Sequence, residues 1–284
     1  MLIECHALIL VYNNNDANYW MRIGVAIVAY NRLECLRRCL QSVFQSESLS
    51  LVDSLAVFDD GSPYDLRAKI AFPDGIAAKV FQSSINHGVI VNKNRALYYF
   101  AEINPVDVVV ILEDDVIVSS NDWLSPWVRS VEIHGHMNYS PGYFRIPEYQ
   151  KFWLRPDAKG TPEDPFSYSV VTGQCTALNT DLIRSKVGYL NPQFQGYGHG
   201  HVEWASRLVR LGYGGQWTDA TPRAFFAIRS GVEIQPAVSN KNQSEIDRNK
   251  KVMDRLIANP DATFVQHPWF DERSRDVFLS VFKN

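Results

Sequence analysis

Three consecutive carboxylates, Glu113-Asp114-Asp115, stand directly after an unbroken apolar run from Val108 to Leu112. The run has the β-branched content of a strand buried on both faces of a sheet. Side chains alternate along an extended segment, which sends Glu113 and Asp115 one way and Asp114 the other. Two carboxylates about 6 Å apart at an effective dielectric near 20 repel by roughly 3 kcal/mol. A divalent cation reverses the sign of that term, and hard oxygen ligands suit magnesium and manganese. The structural alternative is a solvated acidic turn, or capping of a following helix by Ser119-Ser120-Asn121-Asp122. A second chemical cluster is Phe194-Gln195-Gly196-Tyr197-Gly198-His199-Gly200-His201-Val202-Glu203-Trp204, a glycine-rich loop carrying two histidines and a glutamate. It leads into a helix-like run from Ala205 to Leu211.

The elements that must position these groups alternate in type. Ile23 to Ala29 reads as a buried strand, broken by Tyr30-Asn31-Arg32. Leu33, Leu36, Leu40, Val43 and Phe44 then recur at helical spacing, which predicts a helix from about Leu33 to Gln45. A strand over Ser54 to Phe58 ends in the acidic turn Asp59-Asp60-Gly61-Ser62-Pro63, and a third over Ala78 to Gln82 ends near Asn86-His87-Gly88. A helix from about Val91 to Ala101 leads back to the apolar run at Val108. Strand, helix, strand, helix, strand is the pattern of a mostly parallel α/β sheet, and ligands of such sheets bind outside the carboxyl ends of the strands. No G-x-G-x-x-G follows the first strand and no G-x-x-x-x-G-K-[ST] occurs, which argues against a dinucleotide dehydrogenase and a P-loop enzyme. Farther on, Ser169 to Leu178 reads as a strand, with Gly173 where backbone approaches a ligand closely, and Ser244 to Ile257 as a helix. The aromatic stretch Asn138 to Trp153 suits core packing, with stacking on sugar faces as its alternative.

Composition narrows the classes further. A formal net charge of −3 over 284 residues gives no basic field for nucleic acid. Four cysteines (Cys5, Cys35, Cys39, Cys175) are too few for a disulfide scaffold, and a reducing compartment is the plainer reading. No apolar run reaches the 18 or so residues of a membrane span. Residues 1–20 lack the marks of a signal peptide and read as an extension ahead of Met21.

Four blocks in order make the chain resemble a known family. Ile23 to Arg32, Val57-Phe58-Asp59-Asp60-Gly61-Ser62, Asn86-His87-Gly88 with Lys93-Asn94, and Leu112 to Asp115 are similar to the nucleotide-sugar half of GT-A glycosyltransferases of the family 2 type. The resemblance spans roughly residues 22–125. It implies a GT-A, Rossmann-like α/β fold, a nucleotide-diphospho-sugar donor (UDP-linked), a divalent metal (Mn2+ or Mg2+), and transfer to a glycan or lipid-linked glycan. It places Ala29, Tyr30 and Arg32 around the nucleotide, Asp59 and Asp60 at the base, and Lys93 and Asn94 near the diphosphate or sugar. Glu113, Asp114 and Asp115 fall on the D-x-D position, with Glu in place of the first Asp. That form looks similar to N-acetylglucosaminyltransferases of N-glycan processing, which makes Asp115 the direct metal ligand and leaves Glu113 and Asp114 nearer the ribose.

The same resemblance divides the chain into an extension (1–21), a glycosyltransferase domain (22–235, its acceptor half from 126) and a helical tail (236–284). Residues 196–207 match the acceptor-side loop, where an acidic residue at a helix start is the general base. Glu203-Trp204 matches an Asp-Trp pair of the Glu-Asp-Asp relatives, and Glu203 is the favoured base. A register set by Gly196-Tyr197-Gly198 and Arg207 gives the position to His201 instead. His199 and His201, or His267, are the rival metal ligands; His134 and His136 have no acidic company and read as structural. One base implies single displacement with inversion by a cytoplasmic or peripherally attached enzyme. Two other classes stay open: a non-catalytic nucleotide-sugar-binding partner in a polysaccharide assembly complex, and a sugar nucleotidyltransferase, against which the segment Ala29 to Arg32 argues.

Overall fold

The computed structural model describes residues 21–221, 223–237, 242–259 and 264–283. The expected N-terminal extension and Cys5 lie outside the described residues. In chain order the first half builds β1 (Ile23–Ala29), α1 (Leu33–Gln45), β2 (Ser54–Asp59), β3 (Ala78–Gln82), α2 (Val89–Tyr98), β4 (Val108–Glu113) and β5 (Val116–Val118). The middle adds α3 (Leu124–His134), β6 (His136–Tyr139), β7 (Phe166–Tyr168), β8 (Thr172–Asn179) and α4 (Asp181–Ser185). Then follow α5 (Gly200–Arg210), β9 (Gly215–Gln216), β10 (Ala224–Ile228), β11 (Val232–Ile234), α6 (Gln243–Ile257) and α7 (Glu272–Ser280).

The main sheet runs β3-β2-β1-β4-β8-β6-β10-β7, with β9 on β10, and a separate pair joins β11 to β5. Pairing is parallel through the first four strands and antiparallel where β8 enters. Strand alternation explains the two cores. Val25, Ile27, Leu55, Val57, Val110 and Leu112 face α1 and α3, through Leu36, Leu40 and Trp127. Ala26, Val28, Ala56, Phe58, Val109 and Ile111 face the other layer, where α2 and α5 contribute Leu97, Trp204 and Leu208. Gly24 lets this layer approach β1 closely: a Cβ there would meet the ring of Phe100 at 2.5 Å. Register sets Ala29 beside Asp59, Asp59 beside Gln82, and Val28 beside Glu113, so the carboxyl ends of four strands form one edge.

Three expected elements differ in their limits. α2 starts at Val89 because Gly88 (φ +94°) turns the chain and Asp60 accepts its N–H at 2.7 Å. Its expected last turn is a π turn over residues 99–103. The strand expected over 169–178 is β8 alone and starts only at Thr172, because residues 169–171 are the link from β7, which pairs with β10, to β8, which pairs with β4 and β6. α5 begins at Gly200, where left-handed His199 (φ 64°) redirects the chain. Helix α3 has no side-chain cap, so Ser119 to Asp122 do not act as its N-cap. Among the described residues no helix is long and apolar enough to cross a membrane.

Candidate functional site

The acid triplet sits where β4 ends and the chain turns into β5. The expected alternation fails there, because Asp114 and Asp115 form a turn instead of continuing the strand. Arg32, between β1 and α1, reaches both: it pairs with Asp114 and donates from Nη1 to Asp115 Oδ2 at 3.2 Å. Asp114 is fully buried, and burial pushes its carboxyl up to about 7 against the pull of Arg32. Asp115 is raised as well, first by burial and then by the charge of Glu113. Asp114 Oδ2 and Asp115 Oδ1 are buried with no hydrogen-bond partner among the described residues. Those two oxygens and the raised carboxyls are what a hard cation would relieve. Glu113 is engaged elsewhere: its Oε1 accepts from Lys93 Nζ at 2.7 Å, and Lys93 also donates to the carbonyl of Gly173 at 2.6 Å.

Backbone under the triplet is held from an unexpected quarter. Gln235, just past β11, donates its amide N–H to Asp115 O at 2.9 Å, and its Nε2 to Cys35 O (3.1 Å) and Asp114 O (3.3 Å). A lone glutamine in a polar tail carried no sequence signal for this. Asn92 is another: its Nδ2 donates to Phe58 O at 2.8 Å and Ala29 O at 3.4 Å, locking the ends of β2 and β1 together.

The remaining donor-side residues divide. Ala29 closes β1, half-buried Tyr30 follows it, and the Asn31 amide donates to Ser62 Oγ at 2.8 Å, so this loop is tied to the acidic turn. Asp59 caps that turn through the amide (2.8 Å) and hydroxyl of Ser62. Asp60 accepts from the amides of His87 and Gly88 and from Arg95 Nη1 at 3.0 Å; burial raises its carboxyl to about 6 despite the Arg95 charge. Both carboxylates are buried and bound to the chain's own donors, which braces the loops at the carboxyl edge of the strands. Asn94 is likewise bound within the chain. Its amide exchanges hydrogen bonds with Leu190 (Nδ2 to O and N to Oδ1, both 2.9 Å), because consecutive positions on a helix point about 100° apart and Lys93 takes the site-facing one.

The glycine loop reaches the same edge. The Tyr197 hydroxyl is raised by burial and then by Glu113 and Asp115, which lie near it. Behind the loop, Glu245 and Asn249 of α6 hold its backbone, Glu245 accepting the Tyr197 amide at 2.8 Å. Glu203, the favoured base, is paired within its own helix. Arg207 Nε and Nη2 grip its two oxygens at 2.7 and 3.2 Å, both side chains are 3% exposed, and Arg207 also donates to the carbonyls of Val187 and Tyr189. Glu203 is thus held in the core by Arg207, while His201 lies against Asn138 of β6. A Cβ on Gly173 would lie 2.7 Å from Lys93 Nζ and 3.2 Å from His201 Cγ, so the histidine and the lysine flank one glycine. Burial holds His201 well below the ordinary histidine range, with Lys93 and His136 acting in the same sense.

The histidine metal readings fare differently. Among the described residues, no three His, Cys, Asp or Glu side chains converge as a metal set. His199 is the α5 N-cap residue and His267 stacks on Trp269 at 5.2 Å. His134 and His136 are structural, bonded to Pro162 O and Thr176 Oγ1.

Residues 24–186, more than half of the chain, match the family described as Glycosyl transferase family 2. No curated protein matches the sequence. Among solved structures, GalNAc-T7 with UDP, GalNAc and Mn2+ is similar with a TM-score of 0.61, at 14% identity over 91% of this chain and 50% of that one. TarS (residues 1–349) of S. aureus in complex with UDP gives 0.58, at 15% identity over 92% and 71%. A mannosyltransferase from Pyrobaculum calidifontis with GDP-Man and Mn2+ gives 0.55, at 16% identity over 79% and 59%. The chain spans about half the length of the first of these, and what the three share with it is the fold.

Proposed function

This chain belongs to glycosyl transferase family 2, and from that premise we propose that it moves a sugar from a nucleotide-diphospho-sugar, UDP-linked, to a hydroxyl of a glycan-type acceptor, with inversion. The observation that carries this reading is the pair of buried, unpartnered oxygens on Asp114 and Asp115 at the carboxyl edge of the central strands. The residues fit a divalent cation, with Asp115 as the ligand and Asp114 behind it; a bound cation would supply charge against the departing diphosphate. Similar folds hold UDP with Mn2+ and GDP-mannose with Mn2+, the state this reading assigns to the acidic edge.

Lys93 has three donors, two of them engaged by Glu113 and Gly173, so the third serves the diphosphate or the sugar. Arg32, now on Asp114 and Asp115, lies at the same edge and can follow the phosphate charge. His201 takes the proton of the attacking hydroxyl, since Glu203 is bound to Arg207. Its lowered basicity keeps it neutral, and ready to accept, throughout the neutral range. A panel of nucleoside diphosphates with and without Mn2+, read by melting temperature, tests the donor side. Stabilisation by UDP that requires Mn2+ and disappears in Asp115→Asn is expected. A shift by no nucleotide, or one indifferent to both metal and Asp115, would overturn the reading.

A further inference from the structure

We infer that Asn138 is a positioning residue that fixes which nitrogen of His201 accepts the proton, an inference that rests on the assignment of His201 as the base and adds its tautomer. Asn138 lies on β6 and is fully buried. Its Nδ2 donates to the carbonyl of Phe226 at 3.1 Å, an acceptor only, which settles the amide's orientation. The other end, Oδ1, therefore faces His201 Nε2, 3.1 Å away. A carbonyl oxygen accepts and never donates, so Nε2 of neutral His201 carries the hydrogen and the lone pair resides on Nδ1. Nδ1 is buried and has no hydrogen-bond partner among the described residues.

The charged and titratable groups acting on the ring work in one direction. Lys93 from α2 and His136 from β6 disfavour the imidazolium, as burial does. Glu113 is bound to Lys93, and Glu203 to Arg207 on His201's own helix, so neither carboxylate is free to pair with Nε2. Trp204 lies with its ring centre 6.0 Å from the imidazole. During transfer the hydroxyl proton passes to Nδ1 as the new bond to the anomeric carbon forms. The bond from that carbon to the diphosphate oxygen breaks, and its electron pair leaves with the nucleotide. His201 then carries both protons, and Asn138 Oδ1 keeps its hydrogen bond to Nε2 in either state. The amide thus supports the charged product of the step without raising the base's affinity for protons as a carboxylate would.

The test is made on the full chain with 15N-labelled histidine, the His201 resonances being assigned by their loss in His201→Gln. The wild type should show the Nε2–H tautomer at pH 7.5. Asn138→Leu should lower kcat by about 10- to 100-fold with the donor KM unchanged, and should mix the two tautomers. Asn138→Asp should keep the tautomer and move the acid limb of the kcat profile to higher pH, because an anion beside Nε2 favours the imidazolium. An Nδ1–H tautomer in the wild type overturns the inference, as does an Asn138→Leu protein with unaltered kcat and tautomer. If Asn138→Leu does not fold, the wild-type spectrum and the Asn138→Asp profile decide. Undiminished turnover in His201→Gln is a separate failure: it removes the base assignment whatever tautomer the spectrum shows.

Discussion

In Glu203→Gln one carboxylate oxygen becomes an amide nitrogen, which can only donate, facing a guanidinium that also only donates. The wild-type pair has two charge-assisted contacts, 2.7 and 3.2 Å, between side chains that are each 3% exposed. Removing one partner of such a buried pair costs about 3–5 kcal/mol, since the other charge is left uncompensated. Arg207 keeps the carbonyls of Val187 and Tyr189, and glutamine keeps one acceptor, so the lower figure applies: about 3 kcal/mol. For a domain of this size that lowers the melting temperature by roughly 6–12 °C. The assay pairs thermal unfolding by circular dichroism with initial rates measured well below the variant's melting point. Turnover per folded molecule should stay within about twofold, whereas His201→Gln should lose about 10²–10⁴-fold with little change in melting temperature. A Glu203→Gln protein that melts like the wild type but loses about a hundredfold or more in kcat would refute this, and would return the base role to Glu203.

Three further outcomes follow from the same geometry. Gly173→Ala places a methyl 2.7 Å from Lys93 Nζ, the far end of a flexible side chain, so the fold should survive while kcat/KM falls at least about tenfold; unchanged kinetics would show that the Lys93 position is immaterial. His136 is buried without charge, its pKa held down to about 3 by desolvation, below the ordinary value of 6.5. As pH falls below 6.5 the unfolded chain takes a proton that the folded chain refuses, so His136 alone should remove about 2 kcal/mol between pH 6.5 and 5. Urea unfolding at both pH values should show that loss shrinking in His136→Gln, and an identical loss in both proteins would contradict it. Asp60→Ala strips the partner from buried Arg95 and from the amides opening α2, and should destabilise by at least about 3 kcal/mol in denaturant titration; a change under about 1 kcal/mol would show that Asp60 does not brace the fold.

Much of the central sheet is readable from the chain because β1 and β4 are buried on both faces and must be continuous apolar runs. β6 is not: His136-Met137-Asn138-Tyr139 has no apolar pattern, and its conformation is imposed by β8 and β10 on either side. The acid triplet announces itself by following a buried strand. The choice between Glu203 and His201 had a local signal, since Glu203 and Arg207 stand four apart on a helix and can pair; the resemblance to an Asp-Trp motif pointed the other way. Asn94 carried a similar warning, being next to Lys93 on a helix. Asp59 and Asp60 gave none, because their donors, Ser62, His87, Gly88 and Arg95, meet them only once the loops are folded. Asn138 and Gln235 act through hydrogen bonds across long sequence separations, which no periodicity records.

Release of nucleoside diphosphate from a nucleotide-sugar by the purified chain, with water as the fallback acceptor, tests the central claim most directly. Release that needs Mn2+ or Mg2+, and is lost in Asp115→Asn and in His201→Gln, is the predicted result. A protein that binds the nucleotide-sugar in the presence of metal yet never cleaves it, alone or with glycan acceptors, would be a binding partner and not a transferase.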